Sequence, residues 1–378
     1  MKVNPLVELA KKGQSVWLDN LARPLIRDGA LERLVKEDGL SGITSNPAIF
    51  QIAMTSGDAY DEQIRTLSDQ GKSAGEIYEA LAIRDIQNAA DILRPVYDRT
   101  EGADGFVSLE VSPHLARDER GSVEEAERLW KLVGRPNVLI KIPGTDKGIA
   151  AIEACLARGI NVNITLLFSL KAYRKVIEAF FSALESRNGG GESIKGIASV
   201  ASFFLSRIDV KVDKILDGLI ASGDHIEEAK ALRGRAAIAN AKLAYELWKE
   251  QFASERWKKL EKNGARIQKP LWASTSTKDP TESDVKYIEA LIGPHTINTM
   301  PGETVEAFRD HGKVEATLER NLDDARAVMD RLQAIGVDLD RVTDELLQEG
   351  IEKFVKPFDS LIASLEEKRQ SLAGTTAR

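Results

Sequence analysis

The stretch NVLIKIPGTDKGIAAIEACLARGINVNITLLF, residues 137–168, decides the fold. It opens on a β-rich run at 137–145 and passes through Thr145, a residue type suited to capping a helix. An amphipathic segment, DKGIAAIEACLARG, then stops at Gly159 and gives way to a second β-rich run at 160–168. Strand, helix and strand in that order need a right-handed crossover and a parallel sheet.

Working outward, the same unit repeats. Further β-rich runs are SVWLD at 15–19, GITSNP at 42–47, GFVSLEVSP at 105–113, IASVASFFLS at 197–206, PLWASTST at 270–277 and HTINTMPG at 295–302, giving eight candidate strands. Helical patterns lie between them; Ser122 with Glu125 reads as a capping box before EEAERLWKLVG. Eight such units predict a closed (β/α)8 TIM barrel, with a doubly wound open sheet as the alternative. Parity within strands favours the barrel. Ser108, Glu110 and Ser112 alternate with Val107, Leu109 and Val111, and Asn161, Asn163 and Thr165 alternate with Val162, Ile164 and Leu166. Period-two alternation sends the aliphatic set to the outer helices and the polar set to the barrel interior.

The chain of 378 residues is 43% hydrophobic and 29% charged, the profile of an ordinary globular protein, and its length alone allows two or three domains. The pattern instead predicts one barrel domain over 1–378, with strands between about 15 and 302. The surplus length falls in helical insertions at about 49–100 and 207–262 and in C-terminal helices at about 303–370. Residues 49–100 hold two helical patterns, the second starting at the capping box Ser73–Glu76, and Gly336 stops a helix in the tail.

With 59 acidic against 52 basic residues the net charge is -7, a field that repels nucleic acid and anionic membranes while allowing a local cationic pocket for a small phosphate. A single cysteine, Cys155, forms no internal disulfide and reads as a small buried hydrophobe. The N-terminus carries no apolar signal-like core and no run of 18 apolar residues occurs, so a cytoplasmic location is expected.

The most unusual residue is Lys141, an amine inside a Val-Leu-Ile run. Desolvation there favours the free amine, the form that attacks a carbonyl to give a Schiff base. The alternative is a strand-end lysine reaching solvent, and Lys147 competes from the first turn of the next helix. Glu110 interrupts an aliphatic strand, where a carboxylate needs a partner or a function. Asp19 ends the first strand and reads equally as a helix cap or a catalytic acid–base group. Asn46, Asn163, Thr165, Ser202 and Ser274 recur at strand ends, where barrel enzymes gather site residues able to orient a polyol. Arg207 and Lys278 follow the sixth and seventh strands, and the Gly302 turn opens a helix after the eighth, the usual place for a phosphate. The four histidines show no metal-ligand spacing, and no Gly-rich nucleotide loop or GxSxG elbow is present, so neither metal nor cofactor is expected.

WLDNL, GITSNPAIF, SLEVSP, LIKIPGT, NVNITLLFS, ASFFLSRID and ASTSTKDP, in this order over about residues 15–315, resemble the transaldolase family in its longer bacterial form. The resemblance implies a class I aldolase-type transferase of the pentose phosphate pathway that moves dihydroxyacetone between sugar phosphates. It implies that Lys141 forms the Schiff base, that Asp19 takes the hydroxyl proton during cleavage, and that Glu110 with Thr165 moves protons through a water. Asn46 and Asn163 would bind substrate hydroxyls, Ser202 the dihydroxyacetone end, and Arg207 and Ser274 the phosphate region. Where many members carry an arginine shortly after that serine, this chain reads Ser274-Thr275-Ser276-Thr277-Lys278; Lys278, assisted by Ser276, is the expected second phosphate contact. Sugar phosphates are the expected partners, and a homodimer is the assembly to test. Two other readings compete. One is fructose 6-phosphate aldolase, whose members are short and tend to replace the glutamate that stands here as Glu110. The other is a non-catalytic sugar-phosphate-binding barrel.

Overall fold

The computed structural model describes residues 4–375. Eight parallel strands close into a barrel in sequence order: β1 (Gln14–Asp19), β2 (Gly42–Thr44), β3 (Phe106–Glu110), β4 (Val138–Pro143), β5 (Val162–Leu167), β6 (Ser199–Phe204), β7 (Lys269–Ala273) and β8 (Thr296–Met300), with β8 paired back to β1. Helices join each strand to the next, the arrangement of a (β/α)8 TIM barrel, and the open-sheet alternative falls.

Most of the strands end a few residues short of the sequence expectation at their C-terminal ends. β2 stops at Thr44 rather than residue 47, and β7 at Ala273 rather than 277. Beyond β2 and β7 the chain is mainly polar and turns at the mouth of the barrel, where Ser274 takes up φ 56. At the other end of the barrel Trp17 fills the interior beside Gly42, its partner in the β1–β2 register. A Cβ on Gly42 would lie 2.3 Å from the indole, and the indole Nε1 donates to Asp104 Oδ1 at 2.9 Å.

Local signals explain most helix boundaries. Thr145 caps Asp146–Ala157 by accepting from the Gly148 amide, and Gly159 follows its end at φ 84. Ser73 and Glu76 form the expected capping box of Ala74–Arg99, and Gly336 follows Leu322–Ala334 at φ 87. The Ser122–Glu125 box does not form. That helix, Glu119–Val133, starts one turn earlier because Asp118 accepts from the Gly121 amide. Ser122 is then an interior residue donating to the Leu115 carbonyl, and Glu125 accepts from the Ser112 amide.

The β2–β3 connection holds three helices rather than two, Pro47–Thr55, Asp61–Asp69 and Ala74–Arg99. The β6–β7 connection resolves into four, Ser206–Ser222, Ile226–Leu232, Ala236–Phe252 and Glu255–Lys262. After β8 come Gly302–His311, Leu322–Ala334 and a long C-terminal helix, Leu339–Thr375. The last packs on Pro47–Thr55, Asp61–Asp69 and Ala74–Arg99 on one side of the barrel and on Ser206–Ser222 on the other. It therefore crosses the mouth. Among the described residues no helix is long and apolar enough to cross a membrane.

Candidate active site

Register collects the polar residues. Glu110 is paired with Lys141 across β3 and β4, Lys141 with Asn163 across β4 and β5, and Asp19 with Thr44 across β1 and β2. Residues paired this way share a face of the sheet, and here the face is the barrel interior at the C-terminal ends of the strands.

Lys141 is 4% exposed, so it does not reach solvent as a strand-end lysine would. Its Nζ donates to the Ser45 carbonyl at 3.0 Å and to Glu110 Oε2 at 3.2 Å, and it lies 5.2 Å from the centre of the Phe354 ring. Lys147, by contrast, is exposed and pairs with Glu119 at 3.5 Å outside the barrel. Burial pushes the Glu110 carboxyl up to about 7, against the opposing pull of Lys141. A carboxyl poised there can accept or donate a proton near neutral pH.

Asp19 caps no helix. The following helix, Arg23–Arg27, has Ala22 at its cap position and no side-chain cap, while Asp19 Oδ1 accepts from Thr44 Oγ1 at 2.7 Å. Burial raises the Asp19 carboxyl, with Lys141, the Thr44 hydrogen bond and Arg207 acting the other way. Thr44 Oγ1 also shares a 2.7 Å hydrogen bond with Thr299 Oγ1, fixing the threonine that orients the carboxylate.

A cavity of about 190 Å³ opens above these groups. Asp19, Lys141 and Thr165 lie on its wall together with Asn46, Ser202, Arg207, Ser274, Ser276 and Lys278. Glu110 and Asn163 sit behind that wall. Asn163 is fully buried, donating to Ser108 Oγ at 3.0 Å and accepting from Ser202 Oγ at 2.7 Å, so it positions Ser202. Asn46 caps Pro47–Thr55, accepting from the Ile49 amide at 3.0 Å. Ser274 shares a 2.8 Å hydrogen bond with Ser206, and Lys278 donates to Ser276 Oγ at 2.6 Å.

Two side chains in the wall keep unused hydrogen-bonding capacity. Thr165 Oγ1 and Arg207 Nη1 are buried without a hydrogen-bond partner, and Arg207 makes no ion pair among the described residues. The guanidinium stacks 5.0 Å from the Phe204 ring; burial lowers its proton affinity while Asp19, Glu110 and Glu349 support its charge. A guanidinium with spare donors in a polar cavity suits a phosphate or carboxylate. No group of three or more His, Cys, Asp or Glu among the described residues could hold a metal ion.

Sequence reasoning missed Thr44, Thr299, Phe204 and Phe354, all in the wall. Thr44 carried a usable signal, since it follows the aliphatic Ile43 at the inward parity of β2. Phe354 carried none, because an apolar residue in an amphipathic helix looks like any core residue. Leu166 read as an ordinary aliphatic strand residue, but it stands at φ 59 in the irregular end of β5; a leucine there is strained by about 1–3 kcal/mol and is held by its surroundings.

Comparison with known proteins gives one consistent result. A family model described as Transaldolase/Fructose-6-phosphate aldolase matches residues 16–365. A protein of Trichodesmium erythraeum named Transaldolase is 47% identical over 377 residues, covering 98% of this chain and 99% of its own. A Transaldolase 2 of a Nostoc species is 48% identical over 379 residues, covering 99% and 100%. A Transaldolase of Thermobifida fusca is 47% identical over 374 residues, with the same coverage of both chains.

Proposed function

The chain belongs to the transaldolase/fructose-6-phosphate aldolase family, and from that membership we propose that it acts as a transaldolase through a Schiff base on Lys141. The donor is a ketose phosphate such as fructose 6-phosphate or sedoheptulose 7-phosphate. The acceptor is an aldose phosphate such as glyceraldehyde 3-phosphate or erythrose 4-phosphate, as in the non-oxidative pentose phosphate pathway. The barrel and its added helices work as one catalytic domain, and no cofactor is required.

The observation that carries this reading is the setting of the Lys141 amine, buried beside Glu110 and open to a cavity that also holds Asp19 and an unpartnered guanidinium. Glu110 takes a proton from Lys141, which then attacks the ketone; the protonated Glu110 returns that proton, through a water held by Thr165, to the departing hydroxyl. The resulting iminium draws electrons from the neighbouring carbon–carbon bond as Asp19 removes the proton of the adjacent hydroxyl. The bond breaks, the aldehyde leaves, and the three-carbon unit stays on Lys141 as an enamine. An acceptor aldehyde enters, its carbonyl carbon bonds to the enamine carbon and its oxygen takes the proton back from Asp19. Water then adds to the iminium and the amine departs.

Asn46, Ser202 and the Asn163 behind it serve the hydroxyls of the three-carbon unit, and Arg207, Ser274, Ser276 and Lys278 the phosphate. The reducing cytoplasm suits the lone Cys155, which is buried and whose thiol burial pushes up to about 12. Homodimer formation belongs to the same proposal and is read by light scattering. Borohydride reduction in the presence of fructose 6-phosphate, followed by peptide mass spectrometry, tests the chemistry. A three-carbon or hexose phosphate adduct on Lys141 is expected, and an unmodified Lys141 sinks the assignment. Release of dihydroxyacetone at the transfer rate without an acceptor would favour the aldolase reading.

A further inference from the structure

The cavity wall is built from barrel strands and the segments that directly follow them, except for Phe354, which the C-terminal helix contributes from far along the chain; it is 5% exposed and faces Lys141 Nζ from 5.2 Å. The helix can descend this far because of Gly350, one turn earlier on the same face. A Cβ there would stand 2.9 Å from Leu166 Cδ2 and 3.6 Å from Arg207 Nη1. One turn further on, Phe358 meets the Tyr78 ring edge-on at 5.4 Å. Gly350, Phe354 and Phe358 thus form one stripe, the first two over the barrel mouth and the last against the helix Ala74–Arg99.

The ties that hold the helix at its flanks are polar and mostly exposed. Asp359 Oδ1 accepts from His114 Nε2 at 2.7 Å, Ser360 Oγ accepts from Gln51 at 2.8 Å, and Lys211 pairs with Glu349 at 2.6 Å. Exposed links of this kind add little stability, so the apolar stripe fixes the height of the roof. Apart from Phe354, only Phe204 brings an aromatic ring to the wall, and that ring is engaged by Arg207. Phe354 is the apolar surface over the amine.

We infer that Phe354 is a specificity-determining residue that keeps water from the three-carbon enamine on Lys141, and so sets the partition between transfer to an aldehyde and release of free dihydroxyacetone. The inference rests on the Schiff-base reading above. Release requires a proton from solvent on the enamine carbon, giving the iminium. Water then adds to the iminium carbon and loses a proton, and the carbon–nitrogen bond breaks to leave dihydroxyacetone and the Lys141 amine. The net change is consumption of one water, with no oxidation or reduction. Both steps need water over the face that the Phe354 ring covers.

The test compares two rates on the same preparation: dihydroxyacetone released from fructose 6-phosphate alone, and transfer to erythrose 4-phosphate. Their ratio does not depend on how much protein is folded. Phe354→Ala is expected to raise the release-to-transfer ratio about tenfold or more while borohydride still traps the adduct on Lys141. Phe354→Leu loses the ring with less volume and is expected in between, so it carries the test if the alanine variant does not fold. A normal adduct with an unchanged ratio in the leucine variant, or in both, overturns the inference alone. Absence of the Lys141 adduct in the unaltered protein removes the Schiff-base reading and this inference with it.

Discussion

Lys141 Nζ and Glu110 Oε2 lie 3.2 Å apart on adjacent, in-register strands, both nearly sealed from solvent. An ammonium beside a carboxylate at this distance can pass its proton directly or through one water. Burial has pushed Glu110 up to about 7, well above an ordinary carboxyl, which brings the acceptor closer to the amine it must deprotonate. The ionised carboxylate is the competent form for that first step. As pH rises through about 7 Glu110 loses its proton, so kcat/KM is expected to climb through that value and level off above it. Glu110→Gln should lose that limb and about 10²–10⁴ in kcat/KM, measured as a pH–rate profile for both proteins. An unaltered limb in the glutamine variant would reassign it to another group.

Asp19 acts one step later. Its carboxylate, held by Thr44, is not needed for the ketone to condense with Lys141, only for the carbon–carbon bond to break. Asp19→Asn keeps the shape and the Thr44 contact while removing the base. Borohydride should therefore still trap a full-length ketose phosphate on Lys141, yet the three-carbon adduct should fall away and turnover should drop by about 10²-fold or more. Mass spectrometry of the trapped peptide separates the two adducts directly. A three-carbon adduct persisting at normal yield would place the base elsewhere.

How far the sequence could be read follows from which forces leave a local trace. Lys141 and Glu110 were legible because a charged group inside an aliphatic strand is costly, and strand parity then placed them on the inward face with Asn163 and Thr165. The barrel itself was legible from one strand–helix–strand unit and its repeats. Phe354 and Gly350 were not, because their significance lies in what a helix near the other end of the chain rests on, and long-range packing leaves no mark on local pattern. Asn163 showed its face but not its depth: it sits behind the wall, not on it. Ser122 misled because Asp118, four residues before it, offered an earlier cap. The β7 run overshot because Ser274, at φ 56, turns the backbone out of the strand before the β-branched Thr275 and Thr277.

Gly42 sits at the narrow contact in the barrel floor. Any side chain there must displace the Trp17 indole, since the Cβ would lie 2.3 Å from its ring and 2.5 Å from the Nε1 that donates to Asp104. Gly42→Ala is expected to cost about 3 kcal/mol or more, because the contact is with a buried ring rather than a flexible chain end. Trp17→Phe alone should also destabilise, by removing ring area and the Asp104 hydrogen bond. Combined, the two changes should cost less than their sum, since the smaller ring relieves the overlap. Denaturant unfolding of the four proteins measures this, and strict additivity would mean that the barrel floor adjusts without involving Trp17.

Arg207 and Lys278 both line the cavity, but the structure equips them differently. Arg207 is partly buried, stacks on Phe204 and keeps Nη1 without a partner, whereas Lys278 is exposed and already donates to Ser276 Oγ at 2.6 Å. A phosphate bound here would meet an unsatisfied, preorganised guanidinium and a lysine that must leave water and its serine. Hydrogen bonds to charged groups contribute about 1.5–3 kcal/mol, so Arg207→Ala should raise KM for fructose 6-phosphate by about 10- to 100-fold. For an unphosphorylated donor such as fructose, KM should hardly change, because the missing contact was to the phosphate. Lys278→Ala should raise KM for the phosphorylated donor less, about two- to fivefold, as expected for a solvent-exposed charge. Steady-state kinetics on both donors settles the order. If Lys278→Ala proved the more damaging of the two, the second phosphate contact would be the dominant one and Arg207 would owe its place in the wall to balancing Asp19 and Glu110.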